Sequence, residues 1–160
     1  DVRQHVLTGP NAIAGEWGHN PLPWPEESEL PGHDCYCGRV GCIETWLSGP
    51  GMERDHQQVT GQAMSSHDIV LRAASGDADC DATLRRYERR LARGLAHIIN
   101  VLDPDVIVLG GGMGNIERLY THVPMLWSEW VFSDHVATQL LPPMHGDSSG
   151  VRGAAWLWND

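Results

Sequence analysis

The sequence predicts an α/β fold carrying one long loop with its own clamp. Three observations lead there. Over residues 81–101 the apolar side chains Leu84, Tyr87, Leu91, Leu95, Ile98 and Leu102 recur at spacings of three and four, the stripe of a core-facing helix. "VIVLG" (106–110) is an unbroken apolar run between turn signals, as in a buried strand, and it leads through "GGMGN" into another helical stretch. Ahead of both, "GHDCYCGRVGCIE" (32–44) sets three of the four cysteines within eight residues.

Composition narrows the classes. At 160 residues the chain can bury one core. No run approaches the ~18 apolar residues of a membrane span, and "DVRQHVLTGP" lacks the basic and apolar regions of a signal peptide. A cytoplasmic protein with no membrane partner is expected. The eleven basic residues are all Arg and face 21 acidic ones, for a net charge of −10. That balance argues against nucleic acid as a partner, because gripping a phosphate backbone takes clustered cations. With no Lys, there is neither a P-loop lysine nor a Schiff-base lysine.

Element by element, residues 1–9 read as a strand ending at Gly9-Pro10. Residues 20–34, "NPLPWPEESELPGHD", carry four prolines and no helical period, so they form an extended loop needing a clamp. Residues 43–48 read as a short helix stopped by "GPG". A helix over 67–75 is capped by Ser65 or Ser66 and ends at Gly76. The long helix 81–101 breaks at Asp103-Pro104. Its arginines Arg85, Arg86, Arg89, Arg90 and Arg93 read as a solvated face. A strand, a Gly-rich turn and a helix over 116–129 follow. "HGDSSGVRGAAWLWND" closes the chain with small residues leading into a short apolar helix.

The cysteine spacing suits a metal better than disulfides, which would need very short loops. Cys35, Cys37 and Cys42 offer three thiolates, and zinc takes four N or S ligands in a tetrahedron. His19 is preferred as the fourth, since it would join a separate segment to the loop. His33, two residues from Cys35, is the cramped alternative. A site of three cysteines with some other fourth ligand and a metal-free cluster of small buried side chains are the remaining readings, and Cys80 is an isolated thiol. The turn Gly110, Gly111, Gly112, Gly114 and Asn115 has the strand–glycine–helix order whose backbone N–H groups can face a phosphate. Equally, it can be only a tight turn.

Together, "GEWGHNPLP", "CYCGRVGCIETWLSGPG", "DPDVIVLGGGMGN" and "SSGVRGAAWLW" resemble the C-terminal lobe of ROK-family sugar kinases, closest to the bacterial fructokinase branch. The likeness covers nearly the whole chain. It implies one lobe (1–160) of the actin-like, ribonuclease-H-like ATPase fold, with a zinc- and sugar-binding loop at 16–44 and a nucleotide-binding strand and turn at 105–115. It implies structural zinc on His19, Cys35, Cys37 and Cys42, and sugar hydroxyls on Glu16, His19 and Glu44. ATP, with Mg²⁺, would lie against Gly110, Gly111, Gly112, Gly114 and Asn115. The family's N-terminal lobe carries an Asp-Gly-Gly-Thr phosphate loop and an Asn-Asp pair that supplies the base. Neither motif occurs here, and Asp34, Asp103 and Asp105 are poor substitutes. The chain is therefore expected to be the C-terminal lobe of a hexose kinase, catalytically silent alone, with fructose as first substrate and a homodimer as assembly. Alternatives are a glucokinase or N-acetylhexosamine kinase, a sugar-sensing ROK repressor, and a stand-alone zinc module. Trp17 is a candidate for the sugar wall. Trp127, Trp130, Trp156 and Trp158 read as packing residues.

Overall fold

The computed structural model describes residues 6–156. Residues 6–9 form no strand, and the rest of the strand predicted over 1–9 lies outside the described residues, as do Trp158 and the side chain of Trp156.

The long helix organises the molecule. Helix α3 spans Ala78–Leu102, starting where the Asp77 carboxylate accepts from the backbone N–H groups of Asp79 and Cys80 and ending at Asp103 in the left-handed region. Helices α1 (Gly49–Thr60), α2 (Ser66–Ala74) and α4 (Leu119–Leu126) pack on it. The core joins Leu84, Tyr87, Leu91, Leu95 and Ile99 of α3 to Met52, Ile69, Leu119, Val123 and Trp127. The predicted stripe therefore holds through Leu95. It then turns toward Ile99, leaving Ile98 half-buried and Leu102 55% exposed.

Helix α1 begins where the sequence suggested a stop. "GPG" is its first turn: Ser48 caps it by accepting from Gly51 N–H at 3.1 Å, and Pro50 stands where no intrahelical donor is needed. Residues 43–45 form only a 3-10 turn. Gly51 lets that turn lie against the helix, since a Cβ there would stand 2.7 Å from the carbonyl oxygens of Thr45 and Trp46. Gly51→Ala is expected to cost about 1–3 kcal/mol by overpacking against backbone that cannot yield; urea unfolding measures it.

The sheet is small. Strand β1 (Val106–Val108) pairs in parallel with β2 (Gln139–Leu141), with Val106 opposite Gln139 and Val108 opposite Leu141. Ile107 packs on the core, but Val106 and Val108 are exposed. The run read as buried on both faces is thus covered on one face among the described residues. The 116–129 helix is shorter than predicted, with α4 at Leu119–Leu126 followed by a 3-10 turn. Helix α5 (Ser149–Trp156) comes last.

The arginines of α3 divide: Arg85 is exposed as expected, Arg86 and Arg89 are half-buried, and Arg90 and Arg93 are buried rather than on a solvated face. Arg93 is 1% and Arg90 7% exposed. Glu29, in the middle of the Pro-rich loop, accepts from Arg93 at 2.6 and 2.7 Å and from Arg90 at 2.7 Å. Arg90 also donates to Asp55 of α1 at 2.7 Å, and its guanidinium lies 4.5 Å over the Trp46 ring. The loop is thus tied at its centre to α3, and through Arg90 to α1, by buried, charge-assisted hydrogen bonds.

Candidate functional site

The loop is built by backbone crossings. Cys42 pairs with Pro21 and Asp34 with Val40 as isolated antiparallel bridges. Gly32 and Gly41 touch where the chain crosses itself: a Cβ on Gly32 would stand 2.5 Å from the Gly41 Cα, and both residues have positive φ. This fold-back brings Cys35, Cys37 and Cys42 beside the 3-10 turn Trp17–His19.

One ligand atom from each of His19, Cys35, Cys37 and Cys42 lies within 4.8 Å of every other. Cys35 Sγ is 3.6 Å from His19 Nδ1, and Cys37 Sγ is 3.6 Å from Cys42 Sγ. In a tetrahedron with bonds of about 2.3 Å to sulfur and about 2.0 Å to nitrogen, such pairs stand about 3.5–3.8 Å apart. The donor set and its spacing fit a structural zinc. A bound divalent cation would hold the sulfurs as thiolates. Without one, burial pushes Cys42 up to about 12, while the Arg39 backbone N–H draws Cys37 down to about 7.

His33 is not brought into this cluster. Its ring packs on Trp46 at 4.2 Å, and burial, with Arg54 and Arg90 nearby, holds it below the usual His range. Cys80 is buried beside Met64.

The other edge of His19 faces outward. Its Nε2 lies 2.8 Å from the Tyr36 hydroxyl and 3.7 Å from Glu44 Oε2. Glu44 projects from the 3-10 turn Ile43–Thr45, directly after Cys42, and its Cβ stands 3.5 Å from where a Gly18 Cβ would be. Cys42 of the cluster and Glu44 are therefore held by one short segment. Glu16 is exposed at the head of the His19 turn. The Tyr36 phenol is raised above its ordinary range, first by desolvation and then by Glu44, Cys35 and Glu16, so both carboxylates are near it. Trp17 turns away from this wall. It lies on α3 at Gly94, where a Cβ would stand 2.8 Å from its ring.

At the Gly-rich turn, nothing stands within 4 Å of where a Cβ would be on Gly110, Gly111 or Gly112, so backbone lies bare there. Gly114 is buried against the Leu109 carbonyl, and its own carbonyl accepts from the Tyr120 hydroxyl. A cleft of about 470 Å³ opens between Gly112, Met113 and Asn115 on one side and Gly49, Ser66 and His67 on the other. The N-termini of α1 and α2 both border it.

Sequence reasoning missed Ser66 and His67 at this cleft, and Tyr36 on the other site. Tyr36 lies between two cysteines of the cluster, so its position was a usable signal. The approach of α2 to the Gly-rich turn leaves no local signature.

This arrangement is part of an actin-like ATPase fold, the fold of solved ROK sugar kinases. The chain belongs to the ROK family, whose model matches residues 2–160. It is similar to an N-acetyl-D-glucosamine kinase of Photobacterium profundum, 38% identical over 157 residues, or 96% of this chain and 52% of that protein. Among solved structures, a ROK hexokinase from Thermus thermophilus superposes with a TM-score of 0.77 at 26% identity, over 96% of this chain and 50% of that one. A ROK family glucokinase from Streptomyces griseus, solved with glucose and AMPPNP, gives 0.75 at 23% identity, over 91% and 51%. The chain spans about half the length of the curated relatives it matches. No helix among the described residues is long and apolar enough to cross a membrane.

Proposed function

We propose that this chain is the sugar- and nucleotide-contacting half of an ATP-dependent kinase whose first substrate is N-acetyl-D-glucosamine rather than fructose. The observation that carries the proposal is the two-sided His19: one ring nitrogen faces three cysteine sulfurs and the other faces Glu44. The similarity to N-acetyl-D-glucosamine kinases supports the choice of sugar and moves it away from fructose.

On this reading zinc is structural, on His19, Cys35, Cys37 and Cys42, and fixes the segment from which Glu44 projects. Sugar hydroxyls both donate and accept. The carboxylates of Glu16 and Glu44 accept from them through charge-assisted hydrogen bonds, and the imidazole of His19 adds a further polar partner. ATP lies along the turn Gly110–Asn115; the bare backbone at Gly110, Gly111 and Gly112 meets phosphate oxygens, while the buried Gly114, whose N–H donates to the Gly111 carbonyl, shapes the turn, and Mg²⁺ accompanies the nucleotide. Transfer also needs a base for the attacking hydroxyl. The Asn-Asp pair that supplies the base in the family belongs to the N-terminal lobe, and this chain spans about half the length of its relatives, so the base is drawn from outside this half. A homodimer and a cytoplasmic location belong to the same proposal.

The test is ADP release by the full-length protein with Mg-ATP, run against N-acetyl-D-glucosamine, glucose, mannose and fructose. Turnover led by N-acetyl-D-glucosamine is expected; turnover led by fructose would overturn the choice of sugar. Glu44→Ala is expected to weaken sugar binding about 10- to 100-fold, the scale of one charge-assisted hydrogen bond, with zinc content unchanged. Calorimetry and metal analysis measure the two quantities.

A further inference from the structure

We infer that Tyr120 is a positioning residue of the nucleotide site, its hydroxyl holding the Gly114 carbonyl so that the bare amides of the Gly-rich turn stay aimed outward at phosphate. The inference rests on the nucleotide reading above and adds a residue to it.

Gly114 is the point on which the turn closes. A Cβ there would stand 2.8 Å from the Leu109 carbonyl oxygen, so the turn folds back directly onto the residue that follows β1. The Gly114 N–H donates to the Gly111 carbonyl at 3.0 Å. That bond turns the Gly111 carbonyl inward, and in a planar trans peptide the N–H of the next residue points the opposite way. The Gly112 N–H therefore faces away from Gly114. The space around Gly112 is open, with nothing within 4 Å of where its Cβ would be. The third tie is the Tyr120 hydroxyl, which donates to the Gly114 carbonyl at 2.5 Å. Both polar groups of Gly114 are thus engaged, one by Gly111 and the other by Tyr120.

Tyr120 is a rigid post for this bond. It stands on α4, and Arg118, at the head of that helix, donates to the buried carboxylate of Glu88 and, at 2.8 Å, to Asp81, both on α3. The Tyr120 ring packs against the core, and desolvation holds its phenol above the ordinary range, so the hydroxyl stays a donor. Gly110, Gly111 and Gly112 have no side chains to steady the turn, and glycine backbone rotates freely. Donors aimed before the ligand arrives spare the cost of ordering them on binding. Removing the Tyr120 hydroxyl frees the Gly114 peptide, and with it the bond that orients the Gly112 N–H.

The experiment uses the full-length protein, unmutated and as Tyr120→Phe, a change that keeps the ring and removes only the hydroxyl. Inhibition constants of Mg-ADP and of adenosine against ATP are measured, together with kcat and the KM values for ATP and N-acetyl-D-glucosamine. Tyr120→Phe is expected to keep its helical circular dichroism, bind Mg-ADP about 5- to 10-fold more weakly and raise KM for ATP by the same factor at unchanged kcat. Adenosine carries no phosphate and should bind both proteins alike, and KM for the sugar should not move. Unchanged Mg-ADP affinity in Tyr120→Phe, beside an unmutated protein that binds it far more tightly than adenosine, would overturn the role of Tyr120 alone. Equal weakening of adenosine and Mg-ADP would also overturn it, since the hydroxyl would then support the cleft as a whole rather than the phosphate-facing amides. If the unmutated protein binds Mg-ADP no more tightly than adenosine, the reading of the turn as a phosphate site falls and this inference with it.

Discussion

Cys37→Ser is expected to abolish metal binding and open residues 20–42 to protease. The loop carries prolines at 21, 23, 25 and 31, and apart from its 3-10 turn at Glu27–Glu29 has no regular secondary structure. Its ends are held by the isolated bridges of Pro21 with Cys42 and Asp34 with Val40, beside the cysteine cluster. A serine hydroxyl at 37 replaces a soft thiolate with a poor zinc ligand, and three remaining ligands cannot close a tetrahedron. Structural zinc contributes on the order of 10 kcal/mol in small domains that fold around it. Here the loss is expected to be local, because α3 and its packed helices have a core of their own and Glu29 still ties the middle of the loop to Arg90 and Arg93. Metal analysis should fall from about one zinc per chain to near zero, with proteolytic cuts confined to 20–42 and the helical circular dichroism retained. Unchanged zinc content in this variant would remove Cys37 from the site.

Glu29→Gln is expected to destabilise the whole domain. The Glu29 carboxylate is 5% exposed and neutralises two guanidinium groups, Arg90 and Arg93, that are themselves buried. Its Oε2 also accepts the Glu26 backbone N–H at 2.8 Å. Gln keeps the shape but leaves the arginines short of a counter-charge, and removing one partner of a buried pair costs about 3–5 kcal/mol. Chemical denaturation of the two proteins at neutral pH measures the difference. The pH dependence has a definite sign. Burial alone would raise the Glu29 pKa, but the bonds from Arg93, the Glu26 N–H and Arg90 outweigh it and hold the carboxyl below its ordinary value of 4.5. A group with a depressed folded pKa contributes stability above its unfolded pKa and loses it as pH falls through the folded value. The gap between wild type and Glu29→Gln should therefore be full above about pH 4.5 and close at more acid pH.

These two clamps also mark what was legible in the sequence. The cysteine cluster was readable because its three cysteines lie close along the chain and their spacing suits a metal better than disulfides. Choosing His19 over His33 followed from the value of joining a second segment. The stripe of α3 was readable because helical period is local. The buried network was not: Glu29 and Arg90 are 61 residues apart, and nothing near either one distinguishes a solvated arginine from one facing a carboxylate. Helix α1 was missed because Gly-Pro-Gly punctuates chains in both directions, and only the Ser48 cap and the close approach at Gly51 make it a beginning. The strand at 106–108 was placed correctly, but its apolar run implied cover on both faces, a tertiary property that a five-residue pattern cannot report.

The account turns on one histidine serving a metal on one side and a sugar on the other. The most direct test is N-acetyl-D-glucosamine binding by the full-length protein before zinc removal by a chelator, after it, and after zinc is restored. The account predicts that binding is lost with the metal and returns with it, because the metal fixes the segment that carries His19 and Glu44. Undiminished binding by the zinc-free protein would contradict it.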